Sequence, residues 1–151
     1  MKTYLVLVIA AVSSLLFAQS ATMLRDASGR SAGSFSIQGS RTTFRDAQGR
    51  TTGSASVQGS RTTYRDAQGR TTGSATMDGS RTTFRDAQGR TVGSGIVQGS
   101  RTVYRDASGR SVGSATTEGN RTTFRDSSGR IIGTSQGGNA SQAARTFFFR
   151  K

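Results

Sequence analysis

Arginine is the residue that could do chemistry in this chain, and it recurs at fixed places. In the stretch from Arg41 to Ser60, Arg41, Arg45 and Arg50 stand against one carboxylate, Asp46. Arg50 and Asp46 flank a turn and are placed to pair with each other. Arg41 and Arg45 share a strand face with Thr43 and have no obvious acid partner. The same two positions recur as Arg61, Arg81, Arg101 and Arg121, and as Arg65, Arg85, Arg105 and Arg125. A guanidinium is a planar, always charged fork matched to phosphate and carboxylate, so two rows of them predict a polyanion-binding face. Acidic glycan, lipopolysaccharide and extracellular DNA are the partners such rows would suit. The competing role is a solvated face that keeps the protein soluble. Nearly all the cations are Arg rather than Lys, at a formal net charge of +13, which favours the binding role.

Other chemistry is excluded by composition. The chain has no His and no Cys, hence no usual general base, soft metal ligand or thiol nucleophile. Its eight acids are one turn Asp per unit plus Asp78 and Glu118, too few per unit for a calcium roll. The many Ser and Thr hydroxyls lack a partner base. The expectation is a protein that is not an enzyme, with no cofactor and no metal.

The arginines must be positioned by a repeat of twenty residues, spoken six times between residues 21 and 133. In the unit from Arg41, "RTTFRD" is a Thr-rich segment with an aromatic, "DAQG" a turn, "RTTGSASV" a second segment and "QGS" a second turn. Three glycines per unit and the absence of any 3.6-residue apolar period disfavour helix. The pattern predicts strand, turn, strand, turn. Asp46 would open a type I turn with Gly49 in the left-handed conformation at its far end, and the pairs Asp26/Gly29, Asp66/Gly69, Asp86/Gly89, Asp106/Gly109 and Asp126/Gly129 fill the same places. An aromatic position reads Leu24, Phe44, Tyr64, Phe84, Tyr104 and Phe124 and is the candidate structural ladder.

"YRDAQGR" at 64–70 resembles the YD repeat of Rhs-type proteins, where an aromatic, an Asp, two variable residues and Gly-Arg mark successive hairpins of a spiralling β sheet. The likeness covers residues 22–133. In every unit here an Arg separates the aromatic from the Asp, which moves the ring to the other face. In plan the chain is also similar to curli-type amyloid subunits, with a leader, no cysteine and strand-turn-strand units rich in Gly, Ser and Gln, although that family's internal Gln and Asn ladder is missing. The resemblance implies β-hairpin repeats and assembly outside the cell.

Two architectures are open. If "DAQG" closes a bulged hairpin with Phe44 opposite Thr52, and Gln58-Gly59 is a two-residue loop with Gly53 opposite Tyr64, the rings alternate between the faces of a single-layer antiparallel meander. If each unit is instead one coil of a β solenoid, all rings enter one interior ladder and face the small residues Gly53 and Ala55. The solenoid is the expected fold. Little apolar sequence is present, and stacked coils gain backbone ladders around a narrow seam. Coils stacked at ~4.8 Å would set neighbouring guanidiniums against each other at about 1 kcal/mol, a cost relieved by an anion.

The ends complete the organisation. Residues 1–20 read as a signal peptide: Lys2, a mostly apolar run from Leu5 to Leu16, then Ala18 and Ser20 as small residues before cleavage. The run is short for a bilayer, so no stable membrane span is expected after cleavage. Residues 134–144 form a Gly, Ser, Gln and Ala linker, and 145–151, containing "RTFFFR", a C-terminal capping strand or an adhesive end. "NRT" at Asn120 and "NAS" at Asn139 match glycosylation acceptors. The resulting expectation is a secreted, self-associating structural protein of an extracellular matrix, biofilm, fibre or cell surface. The alternative is a monomeric polyanion- or carbohydrate-binding solenoid. The Thr pairs Thr42/Thr43 and Thr51/Thr52 raise ice binding as a third role, which the flanking arginines oppose.

Overall fold

The computed structural model describes residues 21–137 and Phe148; the expected signal peptide, the linker beyond residue 137 and the rest of the C-terminal segment lie outside the described residues. Each unit contributes two strands, the second the longer in all but the last unit. They are β1 (Ala21–Asp26), β2 (Ser31–Gln38), β3 (Arg41–Arg45), β4 (Thr51–Gln58), β5 (Arg61–Asp66), β6 (Thr71–Asp78), β7 (Arg81–Asp86), β8 (Thr91–Gln98), β9 (Arg101–Asp106), β10 (Ser111–Glu118), β11 (Arg121–Asp126) and β12 (Ile131–Gln136). Every neighbour in sequence is an antiparallel neighbour in space, and β1 pairs with β12, so the strands close into an up-and-down barrel.

This overturns the solenoid. A solenoid would pair β3 with β5 in parallel, whereas both turns of the unit reverse the chain. Gly59-Ser60 is a two-residue loop with Gly59 at φ +57 beside the paired Gln58 and Arg61, as a tight hairpin of the primed kind requires. The open meander is overturned as well, because Met23, Leu24, Arg25 and Asp26 pair with Gln136, Ser135, Thr134 and Gly133.

A β-bulge decides which face the rings take. Phe44 pairs with Gly53 and Arg45 with Thr51, leaving Thr52 as the extra residue. The shift of one residue flips the parity expected from a Phe44–Thr52 pairing, and Ala55 then faces Tyr64. All six ladder positions therefore point into one lumen. Leu24, Tyr64, Phe84, Tyr104 and Phe124 are buried there, with Phe84 1% and Phe124 0% exposed, and Phe44 is half-buried. The inner rings from Tyr64 to Phe124 lie between small residues: Phe84, for example, pairs with Ala75 on one side and Gly93 on the other. The bulge also turns its extra residue inward, since Ala32, Val92, Val112 and Ile132 at this position pack against the core.

Closure follows from the same repeated device. At Gly33 the φ is +129, and a Cβ there would run into the backbone carbonyl of Arg45; Gly53 and Gly113 approach the carbonyls of Arg65 and Arg125 in the same way. Bulges and glycines of this kind curl a sheet, and every unit adds the same increment. Six increments bring β12 to β1, which hides the rings and leaves no described strand with an open edge. Twelve strands enclose more space than their own side chains readily fill. Phe35 occupies the lumen where the other units have Ala, Gly or Ser, with its ring centroid 6.0 Å from that of Phe44. Phe148, within the segment expected as a capping strand, is helical, and its ring stacks on Tyr104 at 4.7 Å.

Candidate functional site

Alternation along the strands sends Arg41, Thr43 and Arg45 outward whenever Thr42 and Phe44 point inward. The two arginine rows therefore become two belts around the barrel. Within a belt, successive arginines are separated by an intervening strand, about 10 Å in place of the ~4.8 Å of stacked coils, and their repulsion in water drops to about 0.4 kcal/mol before screening. Self-repulsion is therefore a weaker argument for a bound anion than stacked coils would have made it.

The belts differ in what they touch. In the belt near the Asp turns, Arg45 donates from Nη1 to the Gly49 carbonyl at 3.2 Å, and Arg65, Arg105 and Arg125 make the same bond to Gly69, Gly109 and Gly129 at 2.9, 2.9 and 3.0 Å. These side chains brace the turns. Arg85 occupies the equivalent place and is half-buried. In the other belt Arg41, Arg61, Arg81, Arg101 and Arg121 are all exposed, and none forms an ion pair among the described residues. Arg101 lies over Ser114, its Nη2 3.4 Å from the hydroxyl. Asp78 and Glu118 stand across the sheet from Arg81 and Arg121, whereas Gln58 and Gln98 face Arg61 and Arg101. Between the belts run outward hydroxyls, such as Thr43 paired with Ser54 and Thr63 paired with Ser56.

In the five units from Arg41 on, the third arginine is neutralised at the turn. Asp46 Oδ1 accepts the backbone N–H groups of Gln48 and Arg50, and its Oδ2 accepts Arg50 Nε at 2.7 Å. Asp66, Asp86, Asp106 and Asp126 pair with Arg70, Arg90, Arg110 and Arg130 in the same way at 2.7 to 3.2 Å. Gly49 at φ +80 closes the turn through its N–H to the Asp46 carbonyl, and Gly29, Gly69, Gly89, Gly109 and Gly129 do likewise. Hydrogen bonds to the charged form hold these carboxyls below the ordinary Asp value. The Arg50 side chain is the main cause at Asp46, and the Ser128 hydroxyl at Asp126, which is lowered to about 2. At Asp66 and Asp86 desolvation pulls upward as the largest single influence, yet the bonds and charge of Arg70 and Arg90 together with the backbone bonds from Gln68 and Gln88 outweigh it.

A carboxyl depressed in the folded state contributes stability that is complete above its unfolded value of 3.8 and is lost as pH falls toward about 2. With no His in the chain, thermal stability should be flat from neutral pH down to about 5 and fall steeply between about 4 and 2, as the turns titrate together. Melting curves in high salt, which screens the growing net charge, test this. An Asp106→Asn, Asp126→Asn variant should show a shallower acid limb, and a limb unchanged from the parent would remove the turns as its cause.

No helix among the described residues is long and apolar enough to cross a membrane. The barrel's outer face carries arginine and hydroxyl belts where a lipid-facing barrel carries an apolar band. Among the described residues no group of acids, His or Cys is arranged to hold a metal ion. Compared with protein-family models, curated proteins and solved structures, the chain shows no significant match to any. Function must therefore be argued from the site.

Proposed function

We propose that the barrel is a secreted, monomeric module that binds acidic polymers along its outward arginines, chiefly the belt of Arg41, Arg61, Arg81, Arg101 and Arg121. The observation that carries this reading is what holds the two belts: neither forms an ion pair among the described residues, but Arg45, Arg65, Arg105 and Arg125 are tied to turn carbonyls, whereas Arg41, Arg61, Arg81, Arg101 and Arg121 are exposed beside hydroxyls without such a bond. Arg41, Arg61 and Arg101 face Gln or Ser across the sheet and keep most of their donors for an incoming phosphate, sulfate or carboxylate. Pairing of every described strand on both sides favours a monomer over a fibre grown by strand addition. A flexible polyanion would follow the belt with little dependence on base or sugar sequence, because backbone charge carries the affinity.

The test is binding of duplex DNA and of an acidic polysaccharide as salt is raised. Changing Arg41, Arg61 and Arg101 to Gln should weaken both, and reduce the salt slope for DNA by roughly one unit for each phosphate left without its arginine, with the β spectrum intact. Changing Arg45, Arg65 and Arg105 should lower the melting temperature as well, because the turn carbonyls lose their donors. No binding by the parent at low salt, or unchanged binding by the first variant, would leave the belts as a solvated face.

A further inference from the structure

The two mouths of the barrel differ in what they expose. At the mouth formed by the tight turns, alternation puts Val57, Met77 and Val97 on the same side of their strands as the buried Ala55, Ala75 and Gly95, two residues nearer the turn. They are 38%, 51% and 47% exposed there. The three belong to consecutive units, and each is tied to the tight turn before its own, its N–H donating to the carbonyl of Ser40, Ser60 or Ser80. They form one apolar arc on the rim. Ile37 continues it, partly buried against the core, and Thr117 ends it, its hydroxyl 3.0 Å from that of Thr122.

The outer arginine belt stands beside this arc. Val57 pairs with Thr62 and Gln58 with Arg61, Met77 with Thr82 and Asp78 with Arg81, Val97 with Thr102 and Gln98 with Arg101. Each apolar side chain is thus one ladder step from an exposed arginine, and the acid among them is Asp78. An occupant of this mouth must offer negative charge and hydrocarbon together. A soluble polyanion would satisfy the belt and leave the arc in water. A second copy docked mouth to mouth would cover the arc but set two arginine belts against each other. An anionic bilayer supplies both, with headgroups at its surface and acyl chains within about 10 Å of it.

We infer that the tight-turn mouth docks on an anionic lipid surface, with Val57, Met77 and Val97 entering the boundary of headgroups and acyl chains and Arg61, Arg81 and Arg101 on the lipid phosphates. The barrel lies on the bilayer and does not cross it, because its arginine and hydroxyl belts stay in water. The inference shares the belt with the polymer reading but is carried by the arc, which a polymer does not use.

The chain has no Trp, so one introduced Trp reports its own surroundings. Full-length Met77→Trp and Ile131→Trp variants place it at opposite mouths, since Ile131 follows an Asp turn and is 43% exposed. With vesicles of equal parts phosphatidylglycerol and phosphatidylcholine, emission of the Met77→Trp variant should move to shorter wavelength and be quenched by lipids brominated on the acyl chain. The Ile131→Trp variant should show neither change, and phosphatidylcholine alone should need far more lipid. Adding Val57→Leu and Val97→Leu to Met77→Trp, one extra CH₂ each, should lower the lipid needed by roughly fivefold. Binding of duplex DNA, measured without lipid, should be unchanged by the two leucines, so the polymer reading stands or falls separately. Equal quenching at the two mouths, no shift on anionic vesicles, or no gain from the leucines would overturn the inference. A shift that grows with protein concentration in the absence of lipid would assign the arc to a second copy and overturn it as well.

Discussion

Gly33→Ala is expected to destabilise the barrel by at least about 3 kcal/mol, while Gly95→Ala, on a strand of the same kind, is expected to change it by no more than about 1 kcal/mol either way. Two costs coincide at Gly33. Its φ of +129 is a conformation that residues with a side chain rarely adopt, and a Cβ would meet the backbone carbonyl of Arg45, which cannot move without breaking strand pairing. At Gly95 the backbone is ordinary, and the added methyl would meet the Tyr104 ring at 2.9 Å. That obstacle is a side chain. Ala55, Ala75 and Ala115 hold the same position in other units beside rings that remain buried, so the ring has room to adjust. The urea midpoint measured at unchanged m separates the two variants. Equal effects would mean that close approach at the bulge glycines does not set the curvature of the sheet.

Phe84→Ala should cost about 3 to 5 kcal/mol, against less than about 1 kcal/mol for Thr83→Ala beside it. Phe84 is 1% exposed and packs between Ala75 and Gly93, with its ring centroid 6.5 Å from that of Tyr104. Its loss leaves a void that small neighbours on a closed sheet cannot collapse to fill. Thr83 points outward between the arginine belts. In a domain with so few large apolar residues, one such ring is a sizeable share of marginal stability. If the two variants unfold at the same denaturant concentration, the lumen is not where stability resides.

Both expectations depend on the hairpin register, which the meander reading of the sequence assigned incorrectly, although the solenoid reading already set the rings in one interior ladder against Gly53 and Ala55. Pairing Phe44 with Thr52 is the simplest hairpin count, and it scatters the rings over two faces; the extra residue Thr52 shifts the pairing to Gly53 and gathers them. The signal for the bulge was the glycine two residues after Thr51, repeated in every unit, since a glycine inside a strand marks a bulge or a close approach. The same correction recast the arginines. Rows that face one partner on a solenoid encircle a barrel, and only the folded structure distinguishes the belt that braces turns from the one that does not.

Whatever depends on a window of about twenty residues was determined by the sequence itself: alternate strands and turns, Asp and Gly at the turns, and arginine on one face with the aromatic on the other. Those features arise from contacts between near neighbours, and the repeat restates them six times. Closure is of another kind. Each unit bends the sheet by a fraction of a circle, and nothing in one unit reveals that six fractions complete it. The pairing of Leu24 with Ser135 joins residues more than a hundred apart, and the seat of Phe148 against Tyr104 exists only once that circle has formed. Tertiary structure decided these, because a sheet with one apolar face and two unpaired edges hides both at once only by meeting itself.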